Sequence, residues 1–170
     1  MAIDLTNLTE SSLAFDKELA AADIELEGEN IELRGPVRIK GEVRREGAEI
    51  IATGLIEGDA VMKCTRCMKP VEHKLSVPFD VKYLSAEAVA ETESAEVDPA
   101  ELDADVIPES GLELAELARE QIVLSLPMQF FCMPDCKGIC TICGGNRNLI
   151  DCNCGEKEID PRWAALKNIN

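Results

Sequence analysis

Six of the eight cysteines in this chain fall within Cys132 to Cys154, and the other two are Cys64 and Cys67. Thiols that merely filled a core would be scattered, so the grouping obliges distant segments to converge on shared points. Cys64/Cys67 and Cys140/Cys143 have two-residue spacing. Both sulfurs of such a pair can face a point about 2.3 Å from each, as a tetrahedral zinc ion needs, whereas near neighbours make strained disulfide partners. Gly144 and Gly145 follow the second pair and permit the positive φ of a tight turn. Cys64, Cys67, Cys132, Cys136, Cys140, Cys143, Cys152 and Cys154 are therefore candidate ligands for one or two structural Zn2+ ions.

Other uses of thiols fit less well. A secreted disulfide scaffold needs an export signal, and Met1 to Leu8 carries Asp4 with neither a positive n-region nor an apolar h-region. A thioredoxin-type redox pair sits at a strand-to-helix junction, but no helical pattern follows Cys143-Gly-Gly-Asn. The eight ligands divide in two ways. Cys140, Cys143, Cys152 and Cys154 are close enough to form one site, leaving Cys64 and Cys67 to meet Cys132 and Cys136 and pin the end of a helical segment to a sheet. The rival joins the two knuckles, Cys64/Cys67 with Cys140/Cys143, as zinc ribbons do.

A formal charge of −16 argues against a protein that coats nucleic acid indiscriminately. The charge is uneven: residues 34–74 hold six acids and nine bases, and residues 85–120 hold twelve acids and one base. No run approaches the ~18 apolar residues of a membrane span, and a reduced-thiol metal protein is expected in the cytoplasm.

From Ile31 to Val43 apolar residues and glycines alternate with polar ones, a period of two that predicts a strand with Arg34, Arg38, Lys40 and Arg44 on its wet face. Pro36 marks an edge or a break between two strands. Residues 48–57 are apolar on both faces, Gly58-Asp59 predicts a turn, and residues 60–64 a further short strand. Val71, His73, Leu75, Val77, Phe79, Val81 and Tyr83 alternate through another. His73, on the apolar parity, reads as a hydrogen-bonded core residue ahead of a ligand. Leu13, Phe15, Leu19 and Ala20 fit one face of a short helix capped by Ser11 or Ser12. Residues 85–109 read as an acidic loop. Ser110-Gly-Leu-Glu113 forms a capping box before a helix of roughly fifteen residues that Pro127 ends. Asp160-Pro161 opens a last short helix in which Trp163 and Leu166 dock.

The expected fold is α+β: an antiparallel β-sheet with one covering helix and a C-terminal cysteine-rich zinc-binding segment. Residues 1–127 would form the sheet-and-helix core and residues 128–170 the metal-binding segment packed on it.

Taken together, Cys64-Thr-Arg-Cys67, Val123-Leu-Ser-Leu-Pro127, Cys136-Lys-Gly-Ile-Cys140-Thr-Ile-Cys143-Gly-Gly-Asn and Asp160-Pro-Arg-Trp-Ala-Ala-Leu166 resemble the YceD-type large-ribosomal-RNA accumulation proteins over about residues 30–167. The resemblance implies a bacterial cytoplasmic protein needed for accumulation of large-subunit ribosomal RNA, without established enzymatic activity. The C-terminal cysteines are absent from some members, which implies that metal stabilises the fold and is not the shared function.

Three function classes follow. The first is a non-catalytic ribosome-assembly factor. It would contact large-subunit ribosomal RNA or a precursor particle through Arg34, Arg38, Lys40 and Arg44, and through Lys63, Arg66 and Lys69 around the first knuckle. The second is an acidic adaptor for a basic ribosomal protein. The third, a zinc hydrolase or thiol oxidoreductase, is disfavoured. A catalytic zinc keeps an open position and usually has His or carboxylate ligands, while this chain has one histidine and its eight cysteines are used up by two closed four-thiolate sites. The chain shows no Gly-rich phosphate loop and no nucleophile with a plausible histidine base. No enzyme is expected.

Overall fold

Period-two alternation is realised as burial along one face of a sheet. In a computed structural model of the chain, residues 2–5, 12–26, 31–47, 49–84, 105–107 and 111–154 are described. In chain order they form β1 (Ala2–Ile3), β2 (Leu13–Leu19), a 3-10 turn (Ala21–Asp23), β3 (Ile31–Leu33), β4 (Val37–Glu46), β5 (Glu49–Lys63), β6 (Pro70–Leu84), β7 (Asp105–Val106), β8 (Leu112–Glu113) and α1 (Leu114–Ser125). The chain divides into two compact units, residues 1–62 with 72–128, and residues 63–71 with 129–170.

The main sheet runs β2-β4-β5-β6-β7, with β3 paired to β5 beside β4. The β2–β4, β3–β5 and β4–β5 ladders are antiparallel, so the fold is α+β, mostly antiparallel sheet with one helix. The break expected at Pro36 is present: β3 pairs with residues 60–62 of β5 and β4 with residues 49–57. Val37, Ile39 and Val43 are wholly buried, while Arg38 and Lys40 face outward. On β6, Leu75, Val77, Phe79 and Tyr83 are buried, Val81 is half-buried, and the polar and proline positions between them are exposed. Pro78 lies mid-strand and exposed, and β7 pairs with β6 only at Tyr83 and Leu84.

Four expectations are corrected. The N-terminal apolar set makes β2, not a helix: Phe15 and Leu19 are buried in an antiparallel ladder with β4. Their spacing of four is even, so it also suits one face of a strand, and pairing overrides the weak helical signal. Gly58-Asp59 is not a turn. β5 continues to Lys63, held by the Arg34 N–H donating to Asp59 O at 2.8 Å, and Gly58 lies where a Cβ would meet Val37 Cγ2 at 3.2 Å. The acidic loop contains β7, parallel to β6, and Ile107 beyond it is buried with its N–H on Leu84 O at 3.0 Å. The helix has twelve residues, and its N-cap is Glu113, extended and without a side-chain cap bond, because Leu112 and Glu113 pair with β1. Ser110, residues 85–104 and the expected helix over 159–166 lie outside the described residues.

The helical stripe is as expected: Leu114, Leu117, Ala118 and Ile122 are buried. Arg119 Nε donates to Glu25 O at 2.7 Å, joining α1 to the segment after β2. Among the described residues no helix is long and apolar enough to cross a membrane.

Candidate metal centre

The connection between β5 and β6 is Cys64-Thr-Arg-Cys67-Met-Lys69. Cys64 N–H donates to Lys69 O at 2.9 Å, and Met68 N–H returns to Cys64 O at 2.9 Å. Cys140-Thr-Ile-Cys143-Gly-Gly145 repeats this arrangement. Cys140 N–H donates to Gly145 O at 2.8 Å and Gly144 N–H to Cys140 O at 2.8 Å. The fifth residue of each turn has positive φ, 60° at Met68 and 72° at Gly144. These are two copies of one knuckle, each curling main-chain N–H groups toward its first sulfur.

The eight sulfurs gather into two groups: Cys64, Cys67, Cys132 and Cys136, and Cys140, Cys143, Cys152 and Cys154. Within each, all ligand atoms lie within 4.8 Å of one another. This is the division by sequence neighbourhood, and the two knuckles do not share a site. A tetrahedron with metal–sulfur bonds of about 2.3 Å has sulfur–sulfur edges of about 3.8 Å. Cys64 and Cys136 Sγ are 3.8 Å apart and Cys67 and Cys132 Sγ 3.6 Å, far beyond bonded sulfurs, and all eight cysteines are free. Both quartets can therefore hold a metal ion.

The first quartet is the better enclosed. Cys64, Cys67 and Cys136 are buried with Phe131 and Cys132 packed against them, whereas Cys143 in the second is exposed. Thr65 N–H and Oγ1 both donate to Phe130 O, at 2.8 and 3.1 Å. Arg66, read from sequence as a phosphate contact, is engaged in holding the loop. Its Nη1 donates to Cys136 O at 3.0 Å, its guanidinium lies 4.2 Å from the Phe131 ring centre, and its carbonyl accepts from Ile139 N–H at 3.0 Å.

Local electrostatics favour early thiolates at Cys64 and Cys136 in the first quartet and at Cys140 in the second. Burial pushes the Cys64 thiol up, but the N–H groups of Cys132, Cys67 and Arg66 outweigh it and bring it down to about 6. The N–H groups of Cys143 and Ile142 bring Cys140 to about 6 in the same way. Burial and the neighbouring sulfurs push Cys132 up to about 12, and the Cys143 sulfur, then burial, does the same to Cys154. Four thiolates together need a cation, which is the donor chemistry of a soft metal ion.

The structure does not group the other basic residues with the sulfurs. Arg38 makes a bidentate pair with Asp16 at 2.8 and 2.6 Å, and that hydrogen bond holds the Asp16 carboxyl below its usual value. Arg44 pairs with Glu46 at 2.9 Å, Arg34 with Glu32 at 3.4 Å, and Lys40 stands opposite Asp16 in the ladder. Lys63 and Lys69 are exposed on either side of the first knuckle. His73 is half-buried and belongs to neither quartet. Sequence reading missed Asn146 and Asn148, although two asparagines flanking Arg147 directly after a knuckle are the signal of a side-chain-bonded turn. Asn148 N–H and Nδ2 donate to Asn146 Oδ1 at 2.9 and 2.8 Å, and Asn148 Nδ2 also donates to Cys136 Sγ at 3.3 Å.

The family model described as large ribosomal RNA subunit accumulation protein YceD matches residues 52–170, a stretch that contains every cysteine. The chain belongs to the YceD family. It is 24% identical to the uncharacterized protein YlbN of Bacillus subtilis, over 97% of this chain and 92% of that one. It is 30% identical to the uncharacterized protein Rv2926c of Mycobacterium tuberculosis, over 69% of this chain and 54% of the relative. The maize large ribosomal RNA subunit accumulation protein YCED homolog 1, chloroplastic, is 23% identical over 85% of this chain and 59% of the plant protein. The chain thus spans little more than half of the mycobacterial and maize YceD relatives. No solved structure matches it significantly.

Proposed function

We propose that this chain is a non-catalytic cytoplasmic factor that supports accumulation of large-subunit ribosomal RNA, and that it contacts the RNA or its precursor particle through the unit built on the two thiol quartets. Membership of the YceD family, whose name carries that role, is the observation on which the reading rests. Each quartet supplies four thiolates, the closed set of a structural Zn2+ site, and soft sulfur donors select zinc over magnesium or calcium. The ions would contribute folding energy.

Charge supports the choice of surface. The described part of the metal-binding unit carries Lys63, Arg66, Lys69, Lys137 and Arg147 against Asp135 and Asp151, in a chain of −16 overall. Lys63, Lys69, Lys137 and Arg147 are exposed. Arg34, Arg38 and Arg44 have carboxylate partners instead. A second reading, an adaptor for a basic ribosomal protein, draws on residues 85–104, which hold seven acids and no base.

Depletion of the protein in its host is expected to lower the ratio of large- to small-subunit ribosomal RNA, and an unaltered ratio overturns the reading. Crosslinking followed by sequencing of bound RNA should recover large-subunit precursor sequence. Co-purification of a ribosomal protein that survives nuclease treatment would instead favour the adaptor.

A further inference from the structure

The segment that leaves the first quartet is held by the loop that the second quartet closes. Cys143 and Cys152 bound that loop, and Asn146 and Asn148 lie inside it. Asn148 Nδ2 donates to Cys136 Sγ at 3.3 Å while its Oδ1 accepts from Lys137 N–H at 2.8 Å, so one side chain grips a ligand sulfur and the next residue's amide. Asn146 Oδ1, accepting from Asn148 N–H and Nδ2, fixes that side chain. Arg147 N–H donates to Gly138 O at 2.9 Å, and an isolated bridge joins Ile139 to Asn146. Gly138 has φ 73°, and a Cβ there would sit 3.0 Å from Arg66 O, which brings the strip against the first knuckle.

We propose that Asn148 is a positioning residue that couples the two metal sites, so that an ion in either quartet raises the affinity of the other. This rests on the reading of both quartets as metal sites. With the second quartet empty, presenting Asn148 to Cys136 carries the entropy of closing the loop; with it filled, the loop is already closed and the donor is in place. A hydrogen-bond donor aimed at a ligand sulfur orients it and stabilises its thiolate, and such outer partners change metal affinity by about 10–100-fold. Coupling of binding free energies is reciprocal, so the gain at one quartet is the gain at the other.

The test is a thermodynamic cycle on the full chain under reducing conditions with Co2+ as probe. Thiolate-to-cobalt charge-transfer absorption reports filled four-sulfur sites, and a Cys64→Ser, Cys67→Ser variant identifies the second quartet's signal. First-quartet affinity is measured by chelator competition in the parent, in Asn148→Ala, in Cys152→Ser with Cys154→Ser, and in all three changes together, each checked by circular dichroism. Asn148→Ala and the double serine variant are each expected to lower it about tenfold, with the combination no worse than either. Losses that multiply, or an unchanged affinity in the double serine variant, overturn the coupling. Asn148→Asp keeps the acceptor for Lys137 and removes the donor to sulfur, so full affinity in that variant also overturns it. A chain that shows no thiolate–cobalt absorption at all defeats the metal reading itself, an outcome distinct from two ions binding independently.

Discussion

Met68 and Gly144 occupy the same place in the two knuckles, and only one of them suits it. Both have positive φ, 60° and 72°, and both return their N–H to the first cysteine of the turn. Glycine adopts this region freely, whereas a side chain there costs about 1 kcal/mol. Met68 is 54% exposed, so truncating it forfeits little burial. Met68→Gly should therefore raise the unfolding free energy of the unit that carries the quartets by about 1 kcal/mol, less a part returned through the more flexible unfolded chain. Gly144→Ala should lower it by a similar amount through φ alone, because a Cβ there meets nothing within 4 Å. Chemical denaturation of the metal-loaded protein, followed at the thiolate–metal absorption, measures both. A destabilised Met68→Gly would mean that the exposed methionine makes contacts beyond those seen.

At the scale of elements, the sheet depends on a pair of glycines that face each other across β4 and β5. Gly41 and Gly54 are in register, with Phe15 of β2 and Phe79 of β6 over them: a Cβ on Gly41 would lie 3.1 Å from Phe15 Cζ, and one on Gly54 2.6 Å from Phe79 Cζ. Each would also overlap the carbonyl of a residue on the facing strand, Thr53 and Lys40 respectively. Gly54→Ala should cost about 1–3 kcal/mol by overpacking, and Leu117→Ala in α1 about 2–5 kcal/mol by leaving a cavity. Leu124→Ala, at a residue 77% exposed, should be near neutral. Urea unfolding separates the three. The strands around these glycines were legible where one face is buried along the whole run, as in residues 37–43 and 75–83. Elements whose state is decided by a distant partner were not. β2 needs β4, β7 needs β6, and β8 needs β1, and each overrode a local signal for helix, loop or cap. The thiol quartets were legible as a ligand set because cysteine has few other reasons to cluster. Asn148 was not, because nothing local shows that it reaches Cys136, twelve residues back.

For the whole molecule, the proposed contact with RNA has to be reconciled with a net charge of −16. Each closed four-thiolate site around a dication itself carries about −2. The five bases in the described part of the unit that carries the quartets would therefore roughly balance two such sites and the two acids there, and attraction to phosphate has to be local, at Lys63, Lys69, Lys137 and Arg147. Binding to naked large-subunit RNA should accordingly be weak and strongly salt-dependent, with stable association only on a precursor particle. Lys63→Glu with Lys69→Glu should weaken association and reduce the magnitude of the salt slope by about 2, one for each phosphate that is no longer neutralised. Arg38→Gln with Arg44→Gln should leave both nearly unaltered, since those guanidiniums already have carboxylate partners. Chelation should abolish association while preserving most of the far-ultraviolet circular dichroism. The described part of the unit that carries the quartets has the single bridge between Ile139 and Asn146 and the ends of β5 and β6 as regular structure, whereas the sheet has its own core of Val37, Ile39, Val43, Ile50 and Ile56. Particle binding that persists after both ions are removed, or that falls with the Arg38 and Arg44 changes and not with the Lys63 and Lys69 changes, would place the contact on the sheet and not on the thiol-built unit.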